Sequence, residues 1–217
     1  MIELVCQDRP DVVCLQELPV WGISRLEEWS AMTAVAVVAR PPRVPGRVGV
    51  RVTRMNHGLF RSAFVGQANA VLIARHLSAE DRGHLRISDP GCERRLVQAV
   101  GVAGRYVIAN LHASHGAGLA QLETERSRAF AEAASRPGEV IVLAGDFNLQ
   151  DVRLDGYSAS SAGIDHVLVK GATVSESVVW PRERREVEGV ILSDHPPVDV
   201  TIGDVSISVE ADSPWLE

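Results

Sequence analysis

The residues of this chain best suited to chemistry stand at the ends of apolar runs. "CLQE" ends in Glu17, "IANLHAS" carries Asn110 and His112, "VLAGDFN" carries Asp146 and Asn148, "GIDHV" carries Asp165 and His166, and "VILSDHPPVDV" carries Asp194 and His195. Side chains two apart in an extended segment point the same way, so Asp146 can share a site with Asn148, and Asn110 with His112. Carboxylates are almost never fully buried unless paired, so packing alone does not account for this recurrence. A single acid at a strand end is a cap. Five such ends in 217 residues point to convergence.

The chemistry such a set could do is phosphoester cleavage. An anionic ester needs a hard cation held by carboxylate oxygens, and Mg²⁺ takes one or two protein carboxylates plus waters. The attacking water must be deprotonated or oriented, which suits an imidazole kept in one tautomer by a carboxylate. Asn and His supply donors for the charge on phosphoryl oxygens.

The elements that must position these residues follow from the apolar patterning. A helix ends near Gln7, before Pro10. "DVVCLQE", "TAVAVVAR", "VGVRVTR", "ANAVLIAR", "EVIVLAGDFN", "IDHVLVKG" and "HPPVDVTI" read as strands. "RRLVQAVGV" and "RYVIANLHA" flank Ala103-Gly104 as a hairpin. "ISRLEEWSAM" has helical spacing, with Ile23, Leu26 and Trp29 on one face, and "LAQLETERSRAFAEAA" is an amphipathic helix closed by "RPG". Many short strands with few helices between them predict an α+β protein of two packed sheets. The predicted boundaries are one domain over residues 1–203 and a C-terminal strand or tail over 204–217.

Composition bounds the reading. The chain is 46% hydrophobic and 23% charged, the balance of a globular domain. No apolar run is long enough to span a bilayer, and no secretory leader opens the chain. The odd set Cys6, Cys14 and Cys92 lacks CxxC spacing and reads as reduced, buried thiols of a cytoplasmic protein, expected as a monomer. A net charge of -6 argues against a protein that coats nucleic acid, but not against an enzyme acting on phosphate esters with a bound cation.

In order along the chain, "LQE", "NLH", "GDFN", "IDH" and "SDHPPV" resemble the endonuclease/exonuclease/phosphatase superfamily, over about Asp11 to Val200. The family includes deoxyribonuclease I, abasic-site endonucleases, inositol polyphosphate phosphatases and sphingomyelinases. The resemblance implies a four-layered α/β sandwich, two mixed or antiparallel sheets flanked by helices, and Mg²⁺- or Mn²⁺-dependent hydrolysis of a phosphoester in DNA, RNA, lipid or a small molecule. It matches Glu17 to the metal-binding glutamate and Asp194 to an acid near the metal. It matches Asp146 and Asn148 to the pair that positions the nucleophile and contacts the phosphate. His195 matches the catalytic histidine, Asp165 the carboxylate orienting it, and His112 an acid or phosphate ligand. Asn69 sits where relatives carry a similar Gly-Asn strand. His57, His76, His84 and His115 fall outside the motifs, and the Arg-rich "PRERREVEG" reads as a solvated loop.

One element of the family pattern is missing. Relatives begin with an interior strand whose asparagine helps organise the metal site; here Met1 stands inside the helix that should follow it. The expected consequence is unpaired backbone groups and a gap in the core. Either the start at Met1 is internal to a longer protein, or this is a shortened member. The second case supports an alternative function, an impaired relative acting as a binding or scaffold protein.

Overall fold

The computed structural model describes residues 2–49, 64–187, 189–191, 193, 195–203 and 205–210. Asp194, His57 and most of the strand expected over "VGVRVTR" lie outside the described residues. The two described residues of that segment, Val48 and Gly49, are helical, with both amides donating to Pro45 O.

Numbered in chain order, one sheet contains β1 (Val12–Leu18), β2 (Thr33–Arg40), β3 (Gln67–Ile73), β10 (Val174–Val179), β13 (Val198–Ile202) and β14 (Val205–Glu210). The other contains β4 (Ala79–Arg86), β5 (Leu96–Val102), β6 (Tyr106–His112), β7 (Val140–Asp146), β8 (Ser158–Ala162) and β9 (Asp165–Lys170). The orders are β10-β13-β14-β1-β3-β2 and β4-β5-β6-β7-β9-β8. Each sheet has one parallel pair, β1 with β14 and β6 with β7; the other pairs are antiparallel. The short strands β11 (Glu186–Val187) and β12 (Val190–Ile191) pair with each other.

The apolar runs are continuous because both faces of the inner strands are covered. Val12, Cys14, Val71 and Ile73 from the first sheet pack between the sheets against Val100, Ile108, Val142 and Val167 from the second. The alternate residues Val13, Leu15 and Leu72 pack outward against the helices α1 (Ile2–Val5) and α2 (Leu26–Ser30). Behind the second sheet, Val97, Leu111, Leu143 and Leu168 meet Ala120 and Ala131 of α3 (Ala117–Ala134). Helix, sheet, sheet and helix make the four layers of a deoxyribonuclease I-like sandwich. No helix among the described residues is long and apolar enough to cross a membrane.

Several expectations change. In place of the expected unpaired backbone, β1 pairs on both sides: β14 lies between β1 and β13, parallel to β1 with Val12 opposite Ile207, and buries Ile207 and Val209 in the central core. The segment after residue 203 therefore begins as an interior strand of the sheet. The helix expected over "ISRLEEWSAM" is a 3₁₀ turn over Val20–Arg25 followed by the short α2, which brings Trp21 edge-on to Trp29 at 6.1 Å. Cys14 is buried and its thiol is pushed up to about 12 by burial, but Cys92 is exposed, contrary to the reading of three buried thiols. The hairpin forms as predicted. Arg105 N–H closes a turn on Val102 O, and Ala103 and Gly104 both take positive φ, 53° and 64°.

Candidate active site

Strand register does most of the positioning. His112 of β6 lies opposite Asp146 of β7, and Asp146 lies opposite Asp165 of β9. Each continues the face that packs between the sheets, occupied lower down by Ile108, Val142, Ala144 and Val167. Three polar side chains therefore stand in a row where the central core reaches the rim of the second sheet. Strand approach at this rim demands a glycine. Gly145 has φ 137°, and a Cβ there would meet Leu111 O at 2.0 Å. The chain then turns through Asn148, φ 50°, whose backbone N–H donates to Asp146 Oδ1 at 2.8 Å and whose Nδ2 donates to Ala113 O at 2.9 Å.

The first sheet contributes Glu17. The pairing of β1 with β3 shifts register between Leu15 and Leu18, and Glu17 within that bulge has φ 54°. A bulge re-aims a side chain that regular alternation would send elsewhere. Gln67 Nε2 donates to Glu17 Oε1 at 2.8 Å, and the same oxygen lies 3.7 Å from His112 Nδ1. His112 Nε2 is in turn 3.6 Å from Asp146 Oδ2. Glu17, His112, Asp146 and Asp165 thus share one rim across both sheets.

His195 arrives on the segment leading into β13, and its Nδ1 lies 3.1 Å from Asp165 Oδ2. That approach is tethered: Arg185 Nη1 donates to Ser193 O at 2.7 Å, and Trp180 N–H donates to Pro197 O at 3.0 Å. The Arg-rich run is accordingly bound up in structure. Arg182 pairs with Glu186, and Arg184 stacks 3.6 Å above the Trp180 ring and pairs with Asp8 and Asp199.

Sequence reasoning missed Arg95, which is 5% exposed and sits within the site. Its Nη1 lies 2.7 Å from His112 Nε2, 2.8 Å from Nδ1 and 3.8 Å from Glu17 Oε1. The available signal was an arginine pair set immediately before the fully buried β5, where a charge must find a partner. Gln67 was missed as well, and nothing in its local pattern distinguishes it.

The electrostatics follow from this crowding. Burial holds the His112 pKa well below 6.5, helped by the positive charges of Arg95, His115 and His195. His112 is therefore neutral near pH 7, and its closeness to Glu17 and Asp146 is not ion pairing. Asp146 is pushed up to about 7 by burial and by the neighbouring Asp165 carboxylate, against opposing contributions from the Asn148 amide, His195 and Arg95. This excess of negative charge fits a hard divalent cation with oxygen ligands. Glu17 offers one carboxylate, and ligand atoms of Asp146, Asp165 and His195 lie within 4.8 Å of one another.

Three other candidates hold the fold together. Asn110 accepts from Gln16 Nε2 at 2.6 Å and donates to Leu15 O and Ala70 O, tying the sheets beneath the rim. Asn69 donates to Leu96 O at 3.3 Å across the same interface. His166 points to the opposite face of β9 from Asp165. It donates through Nε2 to Leu149 O at 2.7 Å, meets the edge of Phe147, and is shifted below 6.5 by burial.

The model of the Endonuclease/Exonuclease/phosphatase family matches residues 2–195. Among solved structures, the chain is similar to a functionally unknown conserved protein from Enterococcus faecalis V583, with 15% identity and a TM-score of 0.65 over 93% of this chain and 90% of that one. It is similar to D. rerio TDP2 complexed with single strand DNA product, with 14% identity and a TM-score of 0.62 over 92% and 88%. It is also similar to the mannosyl-6-phosphatase Bt3783 of Bacteroides thetaiotaomicron VPI-5482, with 16% identity and a TM-score of 0.58 over 93% and 90%. No curated protein matches the sequence.

Proposed function

The chain belongs to the endonuclease/exonuclease/phosphatase family, and from that premise we propose that it hydrolyses a phosphoester bond by in-line attack of water, with Mg²⁺ or Mn²⁺ as cofactor. The observation that carries the reading is the row His112, Asp146 and Asp165 on adjacent strands, with His195 3.1 Å from Asp165. Residue types that demand water or partners are gathered at one rim instead of being spread over the surface.

Glu17 would hold the metal, with Asp194 assigned beside it by resemblance. When bound, the cation would neutralise the carboxylates and polarise a phosphoryl oxygen. Asp165 orients His195: with Nδ1 turned to the carboxylate, Nε2 is left to face substrate. Asp146 has a proton affinity matched to neutral pH and can accept a proton from the attacking water or orient it. Its Oδ1 is held by the Asn148 amide, so the second carboxylate oxygen is the one available. Neutral His112 and the Arg95 guanidinium supply a donor and a fixed positive charge for the phosphoryl oxygens.

Two solved neighbours bear names that span the substrate choice: a TDP2 with a single strand DNA product and a mannosyl-6-phosphatase. Initial rates on bis(p-nitrophenyl) phosphate and p-nitrophenyl phosphate, each with Mg²⁺ and with EDTA, test the reading and separate diester from monoester specificity. Hydrolysis that EDTA abolishes and His195→Ala removes is the expected result. Hydrolysis indifferent to both sinks the assignment. A second reading rests on Arg95, whose guanidinium already compensates Glu17 at 3.8 Å. On that reading the site binds phosphoesters as a scaffold, and the ester binds unhydrolysed with or without metal.

A further inference from the structure

The first turns of α3 carry a carboxylate that the proposed mechanism does not use. Glu123 is 2% exposed. Burying a carboxylate without a cation is costly unless its oxygens accept strong hydrogen bonds. Both oxygens do so with one residue: Ser114 N–H donates to Oε2 at 2.6 Å, and Ser114 Oγ donates to Oε1 at 2.9 Å. The bidentate grip fixes the backbone immediately after β6.

The neighbouring residue connects that grip to the rim. Ala113 N–H donates to Asp146 O at 2.8 Å, and Ala113 O accepts from Asn148 Nδ2 at 2.9 Å. Asn148 itself sits at φ 50°, in the left-handed region that asparagine adopts more readily than most residues. The chain of contacts runs from the helix carboxylate through Ser114 and Ala113 to both ends of the Asp146–Asn148 turn. We propose that Glu123 is a positioning residue for the site, holding Ala113 so that Asn148 and Asp146 keep their geometry. It does not touch substrate; it acts through the loop.

The inference rests on the hydrolytic reading above, and its test separates the two. With Mg²⁺ and bis(p-nitrophenyl) phosphate, Glu123→Ala should lower kcat by about 10–100-fold while KM stays within about threefold, the range for losing an orienting partner. Glu123→Gln should restore kcat to within about threefold, because its amide oxygen accepts from Ser114 N–H and its NH₂ donates to Ser114 Oγ. A folded Glu123→Ala enzyme with wild-type kcat overturns the proposal, as does a glutamine variant no better than alanine. If alanine prevents folding, Glu123→Asp, which withdraws the carboxylate by one methylene, is read for the same fall in kcat, and an unchanged kcat overturns the proposal. If the wild-type protein hydrolyses nothing, the hydrolytic reading fails, and the Asn148 side-chain amide resonances of Glu123→Ala decide the positioning separately. Movement toward the free-amide position supports it, and unchanged resonances overturn it.

Discussion

The two halves of the candidate site are held by different means. His112, Asp146 and Asp165 stand on three hydrogen-bonded strands, so backbone register sets their spacing. His195 comes in on a loop whose course depends on side-chain tethers such as Arg185 to Ser193 O. A register can be lost only with the sheet, whereas a tether can be lost alone. Substitutions on the sheet side should therefore change chemistry without moving the frame, and substitutions in the tethers should change placement without touching the chemistry.

The pair that joins the halves gives the largest expected effect. Losing a positioned acid–base group costs about 10²–10⁴-fold in rate. Asp165→Asn still hydrogen-bonds but does not stabilise a charged ring, so turnover should fall by that order with little change in melting temperature. His195→Ala should be at least as damaging, and the double variant little worse than His195→Ala alone. Additive losses in that cycle would separate the two residues.

Asp146 comes next, through its charge. Its folded pKa, about 7, lies above the ordinary 3.8. The native state thus holds this proton more tightly than the unfolded chain, and stability falls as pH rises between those two values. His112, lowered in the fold, works in the opposite direction: it is destabilising as pH falls below 6.5. Comparing Asp146→Asn with wild type isolates the first effect. Without added metal, urea melts from about pH 4 to about pH 8 should show the variant gaining relative stability as pH rises, on the order of a few kcal/mol. Parallel pH profiles would mean that Asp146 is not the group carrying the proton.

Glu17→Gln tests the first-sheet contribution. The amide can keep the Gln67 contact while losing the charge, so Mg²⁺ affinity should fall by about tenfold or more with the fold intact. Equal affinities by calorimetry would place the metal elsewhere. The smallest effect belongs to the tether. Arg185→Ala should lower kcat by about tenfold or less and leave Mg²⁺ affinity unchanged. A loss as large as that of His195→Ala would make Arg185 part of the chemistry instead of the frame.

Much of the frame was legible. β1, β3, β5, β6, β7 and β9 are predominantly apolar because both of their faces are buried, and such runs are visible in a sequence. Of the edge strands, β2 was legible and the other three were harder to see. "AEDRGHLR", "SASSA" and "VSESVV" form β4, β8 and β10, and none shows an apolar pattern. An edge strand needs one partner for its backbone and little from its side chains, and charge on it discourages pairing with other chains. β14 falls where a strand or tail was expected, but its place beside β1 was not legible, because that depends on which neighbour lacks a partner, a property of the sheet.

By itself the sequence marked Glu17, His112, Asp146, Asn148, Asp165 and His195 as polar groups set at the ends of apolar runs. Strand alternation alone did not separate His112 from Asn110, two positions apart on one face. Tertiary structure did, because Asn110 is spent on hydrogen bonds to Leu15 O and Ala70 O, whereas His112 lies beside Glu17, Asp146 and Arg95. It also sent His166 into the helix-side core, bent Glu17 toward the rim through a bulge, and brought Arg95 against His112 from seventeen positions away. The physical reason is the same in each case. Local pattern records what a side chain requires of its surroundings, and only the assembled sheets decide which surroundings it meets.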